Sequence, residues 1–284
     1  MRTVTLPHSQ NIPALGLGTW RMGENARTRS QEVAAVRFAF EIGYRLIDTA
    51  EMYGEGGAEE VAGAALADAV ASRLVRREDL YVVSKVYPHN ADRRGVVDAC
   101  QRSLRRLGVD YLDLYLLHWR GEHPLAETVK GFEALREAGH IHDWGVSNFD
   151  VDDMEELWRA TGGTACAVNQ VYYSASKRGI EFDLLPWERR HRVPLMAYCP
   201  IDRGAAATHP TLRAIGTARG VTAAQVALAW VLRQPDVVAI PKAVRETHLR
   251  ENIAAADIAL TPEELAGIDR AFPPPTRKGP LAMT

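Results

Sequence analysis

Four residues with acid–base side chains stand at or just after the ends of short apolar runs and could share one catalytic site. The run RLID ends at Asp48, LYVVSK ends at Lys85, and YLDLYLLH ends at His118. Tyr53 lies five residues beyond Asp48, in the segment DTAEMYG. A single charged residue in such a position usually marks the return of the chain to solvent. Three together indicate chemistry, because buried charges are costly unless paired and perturbed groups cluster at functional sites.

These residue types suit proton transfer to a carbonyl oxygen. An ammonium group beside a phenol stabilises the phenolate, so we expect Lys85 to lower the pKa of Tyr53 from its usual value of about 10. Asp48 would keep Lys85 charged and oriented, and His118 would add a second polar contact. The pattern therefore predicts a general acid, Tyr53, tuned by a buried ion pair.

Residues so far apart in sequence can meet only if strands bring their ends to one place. Eight short apolar runs alternate with amphipathic stretches, which is typical of strands buried on both faces of a parallel sheet. The runs span residues 14–18, 45–48, 80–85, 111–118, 141–147, 165–170, 193–198 and 237–242. This alternation predicts an α/β fold, a (β/α)8 TIM barrel with its site at the carboxyl ends of the strands. An open doubly wound sheet is the competing architecture.

The remaining segments predict helices, a hairpin and a tail. Helical spacing of apolar residues indicates helices after the first, third and fourth runs and near 57–71, 151–160, 180–191, 222–233 and 246–255, and a further helix starting at Thr261-Pro262. Thr3–Leu6 and Asn11–Pro13 are expected to pair as a hairpin that caps the barrel bottom. No linker divides the chain, so residues 1–284 are predicted to form one domain. The proline-rich segment 273–284 is expected to be mobile at its end.

Composition excludes several classes of protein. The 34 basic and 36 acidic residues give a net charge of −2, which argues against nucleic acid as a partner. No apolar run approaches the roughly 18 residues of a membrane span, and the N-terminus has no signal-like apolar core. Cys100, Cys166 and Cys199 form no CxxC pair, so we expect no disulfide framework, no metal site and a reducing cytoplasm. No apolar helix face is left over, which favours a monomer.

Several segments resemble those of the aldo-keto reductases. They are ALGLGTW, GYRLIDTAEMYG, VVSKV, DLYLLHW, WGVSNF, NQVYY, AYCP and IPKAV followed by EN. The likeness spans nearly the whole chain, and in this order and spacing chance agreement is negligible. Within the family it is nearest to bacterial members that reduce small aldehydes such as methylglyoxal. The resemblance implies reduction of a carbonyl compound by hydride transfer from a nicotinamide, usually NADPH, without a metal.

The resemblance also implies roles for individual residues. Tyr53 would protonate the carbonyl oxygen, Lys85 and Asp48 would tune it, and His118 would orient the carbonyl. The cofactor-binding residues it implies are Thr19, Trp20, Asp48, Ser147, Asn148, Gln170, Tyr198, Pro200, Lys242, Arg245, His248 and Asn252. The substrate-binding residues it implies are Trp20, Tyr53, His118 and Trp119. Among the cofactor contacts, the Tyr198 ring would stack on the nicotinamide. Ser147, Asn148 and Gln170 would hold the carboxamide of the nicotinamide.

The adenine end departs from the family pattern. Lys242 matches the lysine that contacts the 2′-phosphate of NADPH, and Asn252 matches an adenine contact. Many members have a serine directly after this lysine and an arginine six residues after it, where this chain has Ala243 and His248. Arg245 is an extra cation that could replace the missing arginine. The preference for NADPH is therefore expected to be weaker than in members with the full set, which leaves NADH as an alternative donor.

The predicted pocket is open, and two other functions compete with the reductase. Five residues separate His118 from Pro124 and the tail is short, so small aldehydes should be accepted with little discrimination. Channel-associated members keep the fold and often the same four residues, so a nicotinamide-binding regulatory subunit is the alternative. A metal-dependent barrel hydrolase would need clustered ligands at the strand ends, where only Asp48 and His118 qualify.

Overall fold

A short hairpin begins the chain in the computed structural model, which describes residues 2–7 and 11–284. Strand β1 (Thr3–Thr5) pairs antiparallel with β2 (Asn11–Pro13), and the central residue of each strand is buried. The Arg2 guanidinium donates a hydrogen bond of 3.1 Å to the carbonyl of Val237, which starts the last barrel strand. The hairpin therefore caps the amino-terminal end of the barrel, as the sequence predicted.

The eight apolar runs form one parallel sheet whose strands neighbour each other in chain order. The strands are β3 (Leu17–Gly18), β4 (Leu46–Asp48), β5 (Tyr81–Val86), β6 (Leu112–Leu117), β7 (Ile141–Ser147), β8 (Asn169–Tyr172), β9 (Leu195–Tyr198) and β10 (Val237–Ala239). The first and last strands meet through parallel bridges from Leu15 to Ala239 and from Gly18 to Lys242. This closure confirms the (β/α)8 barrel and rules against the open sheet.

Every residue of β5 and β6 is buried, because the barrel interior covers one face of each strand and the helices cover the other. Gly18 is required where the barrel closes. A β-carbon there would lie 2.7 Å from the carbonyl oxygen of Ile240, so a larger residue would push the closing strands apart. The closure of the barrel also fixes the position of Lys242, because its backbone bridges to Gly18.

Helices follow the strands around the outside of the barrel. They are α1 (Arg29–Glu41), α2 (Gly57–Ala71), α3 (Arg93–Leu107), α4 (Leu125–Glu137), α5 (Val151–Arg159), α6 (Leu184–His191), α7 (Pro210–Arg219), α8 (Ala223–Leu232), α9 (Glu246–Ala254) and α10 (Pro262–Ala271). The sequence did not predict α7. It also placed the starts of α6 and β8 four residues too early, because short 3₁₀ turns at Gly179–Glu181 and Gly163–Ala165 precede them.

The C-terminal segment returns across the open end of the barrel. The Lys278 ammonium lies 3.3 Å from the carboxylates of Asp150 and Asp183. Beyond it, Met283 and Thr284 line the cleft at the barrel mouth. The tail therefore covers part of a mouth that was predicted to be open. The predicted mobility of its end stays a prediction.

Residues 2–7 and 11–284 lack two further features. No single helix there is long and apolar enough to cross a membrane. Helices α7 and α8 reach that length and hydropathy only together, and they are bent by 95° relative to each other. No group of three histidine, cysteine or acidic side chains in the same residues is arranged to hold a metal ion.

Candidate active site

Asp48, Lys85 and Tyr53 meet at the carboxyl ends of β4 and β5. Lys85 Nζ donates to Asp48 Oδ2 at 2.7 Å and to the carbonyl oxygen of Thr49 at 2.9 Å. It also lies 3.3 Å from Tyr53 Oη. Gln170 Nε2 donates to Asp48 Oδ1 at 2.7 Å, so both carboxylate oxygens have partners. Because the lysine and the carboxylate are both buried, these bonds fix the ammonium against the phenol.

Strand register explains this meeting. Asp48 pairs with Val83 across β4 and β5. Side chains alternate along a strand, so Lys85 points to the same face as Val83, one step nearer the mouth. Tyr53 begins a 3₁₀ turn, Tyr53–Gly56, in which Gly54 has a φ of 58°. That left-handed turn, which glycine adopts readily, keeps the phenol close to the strand ends.

Burial controls the protonation of the phenol. It raises the pKa of Tyr53 well above its ordinary value, and the negative charge of Asp48 adds to the effect, followed by Cys199 and Tyr198. The predicted lowering of this pKa is wrong for this structure, because the cost of burying a phenolate outweighs the ammonium of Lys85 at 3.3 Å. Tyr53 is therefore a neutral phenol near pH 7, which is the form that donates a proton.

His118 stands beside this phenol, directly after β6. Its ring centre lies 5.6 Å from that of Tyr53, edge to face at 75°, and 5.0 Å from that of Trp119. Burial and then the charge of Lys85 lower the pKa of His118 well below its usual value. The imidazole is therefore neutral at physiological pH. Its buried Nδ1 has no hydrogen-bond partner in the described part of the chain.

A cleft of about 880 Å³ opens above these residues and gathers nearly all the predicted positions. Those that line it are Trp20, Asp48, Tyr53, His118, Trp119, Ser147, Asn148, Gln170, Tyr198, Pro200, Lys242, Arg245, His248 and Asn252. Lys85 and Thr19 are fully buried and do not line it. The Thr19 hydroxyl donates to the carbonyl oxygen of Asp48 at 3.0 Å, so this residue supports the site from below.

One end of the cleft carries a connected set of amides and hydroxyls. Asn148 Nδ2 donates to the carbonyl of His118 at 3.1 Å, and Asn148 Oδ1 accepts from Tyr198 Oη at 2.8 Å. Ser147 Oγ donates to the carbonyl of Gln170 at 2.8 Å. These bonds link the ends of β7, β8 and β9. They hold the Tyr198 ring and the amide groups at the cleft wall nearest to Tyr53.

The opposite end of the cleft is cationic. Lys242 follows β10, and Arg245 stands at the start of α9 with its side chain exposed. Neither forms an ion pair with a carboxylate within residues 2–7 and 11–284. The cleft thus has an aromatic ring and amides at one end and unpaired cations at the other. This arrangement fits an extended dinucleotide with its phosphates toward Lys242. The donor set of the cleft therefore suits the nicotinamide cofactor that the sequence resemblance implied.

The cleft wall also contains residues that were not predicted from the sequence, among them five with long or terminal side chains. They are Arg21, Met52, Arg203, Met283 and Thr284. Met52 and Arg21 lie next to predicted residues, and their adjacency in sequence was an available signal. The other three come from an irregular loop and from the tail. Their positions depend on long-range packing that no local pattern encodes.

The fold and the site together define a class of protein, the nicotinamide-dependent carbonyl reductases built on a (β/α)8 barrel. The phenol, ammonium and carboxylate at the strand ends supply acid chemistry, and the cleft above them is large enough for a dinucleotide and a small substrate. The chain belongs to the aldo/keto reductase family, whose profile matches residues 14–272.

Individual relatives agree with this assignment. The chain is 48% identical over 278 residues to methylglyoxal reductase YeaE of Escherichia coli (strain K12), covering 96% of this chain and 95% of that protein. It is 30% identical to methylglyoxal reductase DkgB of Salmonella typhi, covering 89% and 90%. A crystal structure of an aldo-keto reductase from Klebsiella pneumoniae in complex with NADPH superposes with a TM-score of 0.94 at 50% identity, covering 100% and 99%.

Proposed function

We propose that this protein reduces small aldehydes and ketones, methylglyoxal among them, to alcohols with NADPH. The observation that carries the proposal is the buried contact of Lys85 Nζ with Asp48 at 2.7 Å and Tyr53 at 3.3 Å, beside a neutral His118. Methylglyoxal enters as a substrate because two relatives across most of the chain are methylglyoxal reductases, and NADPH because the Klebsiella pneumoniae relative binds it.

Each residue of the site has one task in this reaction. When bound, the nicotinamide supplies the hydride that reduces the carbonyl carbon. Tyr53 Oη donates its proton to the carbonyl oxygen, and Lys85 stabilises the phenolate that is left. Asp48 keeps Lys85 in place, and the neutral His118 donates a hydrogen bond from its ring N–H to the same oxygen, which orients the carbonyl. Asn148 and Gln170 present amide groups to the carboxamide, which fixes the face of the ring offered to the substrate.

The protonation states predict a flat pH profile for carbonyl reduction. A proton donor works while it is protonated, so a pKa raised by burial moves the loss of the Tyr53 donor to higher pH. The lowered pKa of His118 moves its protonation to lower pH. With both substrates saturating, kcat should change less than about threefold between roughly pH 6 and 9. The measurement is kcat at constant ionic strength, and a fall with a midpoint near pH 7 would assign the acid to another group.

Lys242 is expected to set the cofactor preference. The change Lys242→Met should lower kcat/KM for NADPH by about 10- to 100-fold, because a charge-assisted bond to the 2′-phosphate is lost. The value for NADH should change less than about threefold, since that cofactor lacks the phosphate. Lys130→Met on the exposed face of α4 is the matched control and should change neither value. A wild-type kcat/KM for NADH equal to or above that for NADPH would contradict this role.

Substrate range is tested by steady-state kinetics with methylglyoxal, an aromatic aldehyde and a keto-sugar, each with NADPH and then NADH. We expect turnover of all three carbonyl compounds, fastest for the small aldehydes. Failure of every compound, together with tight binding of NADPH, would favour a nicotinamide-binding regulatory subunit. No observation in the structure favours that alternative, and the relatives described above include named reductases.

We also infer a single-domain monomer in a bacterial cytoplasm. The large apolar side chains exposed in the described residues are Met52, Val70, Phe182, Val244 and Met283. The two methionines line the cleft, and the other three lie on separate elements, so they supply no extended apolar patch for a partner. The relatives described above are bacterial, and the three free cysteines suit a reducing compartment. Light scattering at micromolar concentration tests the oligomeric state.

A further inference from the structure

Glu51 is a buried acidic residue that the proposed mechanism leaves unused. It lies on the loop of residues 49–52, which connects β4 to the 3₁₀ turn that Tyr53 begins. Its exposure is 6%, although Met52 beside it is 39% exposed. Glu51 Oε1 accepts hydrogen bonds from the backbone N–H of Tyr87 at 2.8 Å and from Asn90 Nδ2 at 3.1 Å. The carboxylate therefore faces the protein interior and not the solvent.

The second carboxylate oxygen reaches a third segment of the chain. Arg102 Nη2, on α3, lies 3.5 Å from Glu51 Oε2. The three donors thus come from the residue that follows β5, from the 3₁₀ turn Pro88–Asn90 and from α3. A buried carboxylate is costly unless it is paired, so these contacts favour one position of the loop 49–52.

Glu51 is the last buried side chain of this loop before the phenol. The start of the loop is held at Thr49, whose carbonyl oxygen accepts from Lys85 Nζ at 2.9 Å. The backbone N–H of Glu51 donates to the carbonyl oxygen of Lys85 at a longer 3.3 Å. Residues 52–55 are exposed or only partly buried. The position of the Tyr53 phenol relative to Lys85 therefore depends on how firmly the Glu51 side chain is held.

This side chain affects the acid through position and not through charge. The groups whose charges raise the pKa of Tyr53 are Asp48, Cys199 and Tyr198, and Glu51 is not among them. Glu51 also does not line the cleft. A displacement of the loop would thus misplace the phenol without changing its protonation, and a misplacement of about 1 Å can cost about 100-fold in rate.

We propose that Glu51 is a positioning residue for the Tyr53 acid. Its carboxylate ties the loop 49–52 to the end of β5 and to α3, which holds the phenol where it can donate to the carbonyl oxygen of the substrate. The inference rests on the proposed reductase function and adds a residue to the support of its acid.

Two substitutions of Glu51 test this role. Glu51→Ala removes all three contacts and should lower the single-turnover rate of NADPH oxidation by methylglyoxal about 10- to 100-fold. Glu51→Gln keeps an acceptor for Tyr87 and Asn90 and should stay within about threefold of wild type. The Kd of NADPH should change less than about twofold in both variants, since the side chain lies outside the cleft. Because the acid itself is unchanged, the loss in Glu51→Ala should be uniform between roughly pH 6 and 9.

Asp113→Ala is the matched control. Asp113 is also buried, and its Oδ2 accepts from the backbone N–H of Val82 at 2.8 Å and from Arg77 at 2.9 Å. These contacts hold the same strand, β5, at its amino-terminal end. Asp113→Ala should therefore change the single-turnover rate by less than about twofold. An equal loss in Asp113→Ala and Glu51→Ala would assign the effect to a general weakening of the barrel and overturn the proposal.

A double-mutant cycle separates positioning from other effects. The variant Tyr53→Phe has no phenol to position, so adding Glu51→Ala should lower its remaining rate by less than about threefold. A fully additive loss would overturn the proposal. A loss in Glu51→Gln as large as that in Glu51→Ala would do the same, since it would assign the effect to the charge.

Wild-type protein that reduces no carbonyl compound would contradict the reductase function instead. Hydrogen exchange followed by mass spectrometry then still decides the role of Glu51. The amides of residues 51–56 should exchange about tenfold faster in Glu51→Ala than in wild type or in Asp113→Ala. Unchanged exchange in this segment would overturn the proposal.

Discussion

The variant Tyr53→Phe is expected to lose about 10²- to 10⁴-fold in kcat for carbonyl reduction while its Kd for NADPH changes less than about twofold. The substitution removes one hydroxyl and keeps the ring, so the packing against His118 is retained. The neighbouring groups are poor substitutes as acids, because His118 is a neutral imidazole that holds its ring proton and the Lys85 ammonium is paired with Asp48. Single-turnover absorbance of NADPH measures the chemical step, and fluorescence titration measures cofactor binding.

Tyr87→Phe is the matched control for loss of a phenolic hydroxyl. Tyr87 lies near the cleft, and its hydroxyl donates to Glu55 at 3.2 Å, outside the group of residues around Lys85. Its kcat should stay within about twofold of the wild-type value. If Tyr53→Phe keeps more than about a tenth of the wild-type activity, Tyr53 is not the principal acid.

The variant Asp48→Asn is expected to lower the free energy of unfolding by about 3–5 kcal/mol near pH 7, with a large loss of activity. Lys85 is fully buried, and the change leaves its ammonium without an opposite charge. The folded protein must then bury an unpaired charge or release the proton that an unfolded lysine keeps up to about pH 10. Because folding then releases a proton, the stability of the variant should rise relative to wild type as pH increases. Urea denaturation at pH 7 and pH 9 measures both effects.

The double variant Asp48→Asn with Lys85→Met separates stability from catalysis. Removing both charges abolishes the unpaired ammonium, so much of the lost stability should return. Activity should not return, since neither the ammonium nor its counterion is present beside Tyr53. A double variant as unstable as the single one would show that the cost arises elsewhere, for example from the lost bond between Gln170 and Asp48.

The barrel and the four acid–base residues could be predicted because each depends on a local pattern. Strands buried on both faces appear as short apolar runs, and the polar residue that ends each run marks the mouth of the barrel. Asp48, Lys85 and His118 all follow this rule. The hairpin and α10 were predicted for the same reason, since pairing strands and the Thr261 cap are encoded within a few residues.

The errors concern properties that depend on the assembled structure. The pKa of Tyr53 is raised because the cost of burying a phenolate outweighs the nearby ammonium, and neither quantity can be read from spacing. The positions of Arg203 and Thr284 depend on a turn with positive φ and on a tail that packs across the barrel. Thr19 was expected in the cleft and lies beneath it, because its hydroxyl bonds the backbone of Asp48.

Isotope transfer tests the central claim most directly. Wild-type protein is incubated with methylglyoxal and NADPH that carries deuterium in the transferred position of the nicotinamide ring, and the product is examined by mass spectrometry. Reduction predicts many turnovers per enzyme, with one deuterium at the new carbinol carbon of each alcohol and one oxidised cofactor per product. Tight cofactor binding without deuterated alcohol, repeated with an aromatic aldehyde and a keto-sugar, would contradict the assignment of this site to carbonyl reduction.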